Sequence, residues 1–200
     1  MLDVGCGRAS PLAAIAHRGT RIGLDISAPD LALARRAGTH QQLVRADLAR
    51  IGDLVRPKSV DAVVALDVIE HLERETALAL LATLERIARR RVVILTPNGF
   101  VPQPATEDNP YQEHRSGFTV DDMTSRGYRV RGVYGLWFVL GAFGETRWSP
   151  GFLWRRVADL TAPLVYRMPR LAFGLLCVKE VGDAASAAGV RAASARARVG

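Results

Sequence analysis

Short apolar runs that stop at an acidic residue recur through the first half of the chain. Leu2 stops at Asp3, Ile22-Gly23-Leu24 at Asp25, the run from Leu43 to Ala46 at Asp47, and Val60 to Leu66, broken only by Asp61, at Asp67. A further run, Val92 to Leu95, ends in the turn Thr96-Pro97-Asn98-Gly99. Continuous runs rather than strict alternation predict strands covered on both faces, as in a parallel sheet. Helical signals lie between them. Ser27 is placed to cap a helix, with Asp30 three residues on as the second half of a capping box. Residues 72–90 carry leucines at 78, 80, 81 and 84 and arginines toward the end, where they favour the helix dipole. Residues 119–126 form a further helical stretch, with Asp121 and Asp122 in its first turn and Gly127 as its stop. Residues 128–133 alternate as a sixth strand, and 171–181 form a seventh. Alternating strands and helices predict one α/β domain.

The end of the first run carries the most chemistry. Asp3-Val4-Gly5-Cys6-Gly7 leads into Ser10-Pro11, a cap and a first-turn proline, so the glycine loop is expected to feed a helix N-terminus. Two glycines permit a tight turn and let a ligand lie against bare backbone. A dinucleotide loop would need its third glycine at position 10, where Ser10 stands. Asp25 follows Gly7 by 18 residues, a position from which a carboxylate accepts bonds from both hydroxyls of a ribose.

This loop resembles motif I of the class I S-adenosylmethionine-dependent methyltransferases, whose pattern is acidic-x-Gly-x-Gly-x-Gly. The chain matches at Asp3, Gly5 and Gly7 and departs at Ala9, the smallest replacement available. Asp67-Val68-Ile69-Glu70-His71-Leu72 resembles the family's motif IV. The resemblance spans about residues 2–135 and extends to 171–181. It implies a Rossmann-like seven-stranded sheet, mostly parallel with the last strand antiparallel and helices on both faces. It implies S-adenosylmethionine as cofactor, held by Asp3, Gly5, Cys6, Gly7, Asp25, Ile26, Asp47, Leu48 and Asp67, with Asp47 on the adenine amino group. Family members have several residues before the motif I acid and a helical segment ahead of it, so upstream residues are expected to be missing from this chain. The methyltransferase domain is expected over 1–182, and 183–200, rich in Ala, Ser, Gly and Arg, is expected to be disordered.

Composition narrows the setting without choosing a substrate. The formal charge is +7, yet the 27 basic residues are almost all arginine, a skew that follows genome composition more than nucleic-acid binding. No nucleic-acid partner is expected. Cys6 and Cys177 are too few for a disulfide framework. With no signal peptide and no uncharged apolar run long enough to span a bilayer, the expectation is a soluble, cytoplasmic protein.

Residues 137–170 hold all three tryptophans, interleaved with arginines. Two readings stand side by side. One is a lid over the carboxyl edge of the sheet that shapes an apolar pocket or grips a membrane or lipid surface. The other is a helical pair packed on the sheet, or a dimer contact. The titratable candidates at the sheet edge are His71, Glu70 and His114, whereas His17 and His40 read as surface residues. The Asp67-x-x-Glu70-His71 spacing, with His114 after Thr96-Pro97-Asn98, also resembles metal-binding segments of ubiquinone-pathway O-methyltransferases and small-RNA 2′-O-methyltransferases. The same string is common in family members without a metal. No metal is therefore assigned, and His71 and His114 are taken as residues that act as base or orient a small-molecule acceptor. The expected reaction is methyl transfer to an oxygen or nitrogen nucleophile. The alternatives are a catalytically degenerate binding protein of the same fold and a nicotinamide-dependent oxidoreductase, which the residue at position 10 disfavours.

Overall fold

Seven strands form one sheet in the order β3-β2-β1-β4-β5-β7-β6. They are β1 Leu2–Val4, β2 Ile22–Asp25, β3 Gln42–Arg45, β4 Val60–Leu66, β5 Ala88–Pro97, β6 Arg129–Leu136 and β7 Ala172–Glu180. The first five pair in parallel, and β7 inserts antiparallel between β5 and β6. The structure is a computed structural model and describes residues 1–16, 19–107 and 109–182. The expected tail at 183–200 and His17 lie outside the described residues.

The helices are α1 Ala28–Ala37, α2 Ile51–Leu54, α3 Arg74–Ile87, α4 Val120–Ser125 and α5 Gly151–Arg167. The leucine periodicity of α3 is its packing face: Ala77, Leu80, Leu81, Leu84 and Ile87 are all buried against the sheet. Val4, Val63, Ala65 and Ile94 meet them from the strands. A second, smaller core lies under α5, where Val139, Leu140, Ala158 and Phe173 are buried with Trp154 and Phe138 packed against them. Gly135 makes that contact possible. Its φ is +77°, and a Cβ there would stand 2.5 Å from the Ala158 backbone.

Several elements depart from the sequence reading. The glycine loop feeds a short 3₁₀ turn, Pro11–Ala14, where a helix was expected, although Ser10 does cap it by accepting from Leu12 N. The third strand ends at Arg45, and Asp47 instead caps the next turn by accepting from Ala49 N. The helix expected over 72–90 stops at Ile87 because Ala88 already pairs with Val60 of β4. Half of the α1 capping box is present. Ser27 accepts from Asp30 N, but the Asp30 carboxylate turns away to Asn109 and Arg8.

Candidate functional site

β1 sends the chain to β2 on one side, and the next strand beyond β3 returns to β1's other side as β4. Such a reversal leaves a crevice outside the carboxyl ends of the two central strands. Here it is a cavity of about 820 Å³, lined from the glycine loop by Asp3, Gly5, Cys6 and Gly7 and from the turn after β4 by Asp67, Glu70 and His71. His114, Tyr134, Phe143 and Arg155 complete the lining.

The loop is fixed by its own backbone. Gly5 N and Cys6 N both donate to Leu24 O, at 2.8 and 2.9 Å. Gly5 has φ +69°, and a Cβ there would meet Val68 Cγ2 at 2.6 Å, so both conformation and packing require glycine. Gly7 N donates to Asp25 Oδ2 and Ser27 N to Asp25 Oδ1, each at 2.8 Å. Asp25 thereby ties the glycine loop to the start of α1, and each oxygen keeps a lone pair for a hydroxyl. A Cβ on Gly7 would meet nothing within 4 Å, so bare backbone faces open space where a nucleoside would lie.

Asp3 is 2% exposed and accepts from Ser10 Oγ at 2.6 Å, and its Oδ2 lies 2.8 Å from His40 Nε2. Burial raises its pKa. His40 corrects the sequence reading. Its side chain is 1% exposed, not a surface group, because the turn before β3 folds it under the glycine loop against Asp3. Asp25, Ile26, Asp47 and Leu48 stand outside the cavity lining, at the carboxyl ends of β2 and β3 next along the sheet edge. The structure thus gathers Asp3, Gly5, Cys6, Gly7, Asp67, His71 and His114 in one cavity and sets the other four beside it.

The far wall is built from loops. Glu70 O accepts from Arg115 N and Ser116 N, at 2.8 and 3.0 Å, which clamps the segment before α4 onto the turn after β4. That clamp brings the His71 and His114 rings to 4.8 Å, edge to face. His71 Nδ1 lies 3.1 Å from Glu113 O, and His114 Nδ1 lies 2.7 Å from Val101 O. A ring nitrogen beside a carbonyl must be the donor, so each Nε2 keeps its lone pair. Burial lowers both imidazoles below the ordinary histidine value. Glu70, wholly buried and bonded to Thr96 Oγ1 at 3.0 Å, is pushed up to about 8, chiefly by burial and then by Asp67. Glu70, His71 and His114 each offer one metal-ligand atom, all within 4.8 Å of one another.

Three lining residues are held in left-handed backbone, Asp67 at φ 54°, Tyr134 at φ 67° and Phe143 at φ 56°. Tyr134 does so at the irregularity where the β6–β7 register shifts between Val133 and Leu136. Strain of this kind, about 1–3 kcal/mol per residue, persists where the surrounding structure over-determines it, and it clusters at ligand sites. The sequence reading missed Tyr134, Gln103 and Phe173 as lining residues, and it placed Arg155 only within a broad insertion. Nothing in their local pattern marks them.

Comparison with known proteins adds the family. Residues 2–99 match the family described as "Methyltransferase domain". No curated protein matches the chain by sequence. Among solved structures, a SAM-dependent methyltransferase from Archaeoglobus fulgidus is similar at 18% identity, covering 90% of this chain and 84% of its own, with a TM-score of 0.54. An S-adenosylmethionine-dependent methyltransferase from Mesorhizobium loti is similar at 17% identity, with 90% and 89% covered and a TM-score of 0.53. Magnesium protoporphyrin IX methyltransferase from Synechocystis PCC 6803, solved with bound SAH, is similar at 19% identity, with 90% and 72% covered and a TM-score of 0.51.

Proposed function

Starting from a chain that belongs to the class I S-adenosylmethionine-dependent methyltransferases, with S-adenosylmethionine as its cofactor, we propose that it methylates an oxygen or nitrogen of a small-molecule acceptor, with His71 or His114 as the base. The observation that carries this reading is the imidazole pair. Both rings line the cavity, both are fixed through Nδ1 by backbone carbonyls, and burial lowers both below the usual histidine value.

The glycine loop, with Asp25 and Asp47 beside it, would hold the nucleoside along the carboxyl ends of β1, β2 and β3. The bound cofactor supplies an electrophilic methyl carbon on a sulfonium. The cavity would align an acceptor lone pair with that carbon, and the sulfur would keep the electron pair of the bond to the methyl group. The acceptor's proton passes to an imidazole Nε2. The rest of the site supplies alignment and a dry cavity, which is most of what an in-line displacement needs.

The test is methyl transfer from labelled cofactor to a panel of phenol, carboxylate and amine acceptors. Activity should survive EDTA and fall by about 10²–10⁴ in whichever of His71→Ala and His114→Ala removes the base. Full activity in both variants would overturn the assignment. Activity lost in EDTA and restored by Mn²⁺ would move Glu70, His71 and His114 to a metal site.

A further inference from the structure

The outer side of α5 is built against the usual rule for a surface helix. Ala158 and Val165 are buried toward the sheet, with Trp154 packed beside them. On the opposite side Leu153, Leu160 and Leu164 are exposed, Leu160 by 80%, and Phe152 is exposed by 68%. Leu153, Leu160 and Leu164 fall at i, i+7 and i+11, one stripe along the helix. Arg156 and Arg167 stand next to that stripe around the helix, and neither has a carboxylate at ion-pair distance among the described residues. Asp159 is the one acid in α5. Tyr166 lies off this stripe, its ring under the Arg131 guanidinium of β6, and Trp148, just before the helix, packs on Trp154 at 4.7 Å between ring centroids.

We propose that this face of α5 docks flat on the surface of an anionic lipid bilayer. An apolar stripe edged by arginines matches the boundary between acyl chains and phosphates. The leucines enter the acyl boundary while the arginine stems lie along it and carry their guanidinium groups to the phosphates. The net charge of +7 supplies the attraction that selects an anionic surface. No helix among the described residues is long and apolar enough to cross a membrane, so α5 would lie on the bilayer and not through it. Arg155, on another side of the same helix, lines the cavity, so docking sets the α5 wall of the site at the lipid surface.

The inference goes beyond methyl transfer and is read without it. The full chain is sedimented with phosphatidylcholine vesicles and with vesicles that also contain phosphatidylglycerol, and tryptophan emission is followed on the same samples. Binding should need phosphatidylglycerol, weaken with salt, and shift the emission to the blue. The paired change Leu160→Glu with Leu164→Glu should abolish it on the phosphatidylglycerol vesicles. The paired change Arg156→Gln with Arg167→Gln should weaken it about 25-fold on anionic vesicles, from roughly fivefold per arginine. Unchanged binding of S-adenosylhomocysteine by both pairs shows that the fold is intact. Equal binding to phosphatidylcholine alone would overturn the proposal, as would vesicle binding undiminished in the Glu pair. A dimer that the Glu pair dissociates would assign the face to a second copy of the chain and overturn it equally.

Discussion

The β1–β2 side of the cavity offers backbone amides and carboxylates that sit within a few residues of strand ends. The β5–β6 side offers side chains drawn from loops far apart in sequence. On the first side, Gly7 N and Ser27 N reach the two oxygens of Asp25 across a single loop and a single turn. On the second, His71 meets His114 across more than forty positions, and Arg155 and Phe143 arrive from beyond β6. The difference teaches a division of labour. A shared cofactor is met by geometry that short-range sequence can encode, whereas an individual acceptor is met by whatever the connecting loops carry.

Glycine substitutions in the two regions separate them most sharply. Gly135→Ala puts a Cβ 2.5 Å from the Ala158 backbone at φ +77°, so α5 must move away from β6. The expected cost is about 3 kcal/mol, from left-handed strain and overpacking together. Thermal unfolding should show it, while affinity for S-adenosylhomocysteine stays within a few-fold of wild type in the folded protein. Gly5→Ala carries left-handed strain at φ +69° and a Cβ 2.6 Å from Val68 Cγ2, so it should destabilise the fold as well and in addition abolish cofactor binding. If Gly135→Ala weakens cofactor binding as much as Gly5→Ala does, the two regions are not separable.

Asp25→Ala probes the cofactor side by itself. It leaves Gly7 N and Ser27 N without their acceptor and removes the carboxylate proposed to hold the ribose hydroxyls. The expected loss is about 2–3 kcal/mol of binding free energy. Calorimetry with S-adenosylhomocysteine measures it directly, and an unchanged affinity would remove Asp25 from the site.

How far each region was legible follows from the same division. Asp3, Gly5, Gly7, Asp25 and Asp67 were readable because each ends a buried parallel strand, and such strands announce themselves as apolar runs. That β7 runs antiparallel followed from the family resemblance, and the structure sets it between β5 and β6. His40 was not readable. It lies in a polar turn, and its contact with Asp3 joins positions 37 apart. The bond from Asn109 to Asp30 spans 79 positions for the same reason, and it took the Asp30 carboxylate away from the expected capping box. Tyr134 depends on a register shift in β6, which has no periodic signature. The first helix failed for a local reason. Ser10 and Pro11 start a turn correctly, but Ile15 already leaves it in extended backbone.

Glu70→Gln carries the smallest expected effect and tests whether the β4 side of the cavity holds its proton at neutral pH. Burial raises this carboxyl from 4.5 to about 8 in the folded chain. A carboxyl whose folded pKa lies above its unfolded value contributes stability that is fully present below the unfolded pKa and is lost as pH rises through the folded one. The window therefore runs from about pH 4.5 to about 8. Gln keeps the shape and an oxygen to accept from Thr96 Oγ1, and it carries no charge to bury. The variant should come closest to wild type near pH 5 and exceed it increasingly toward pH 8, read as a higher midpoint in thermal unfolding. Equal midpoints at both pH values would mean that Glu70 is already ionised in the folded chain, with water or a cation at its side.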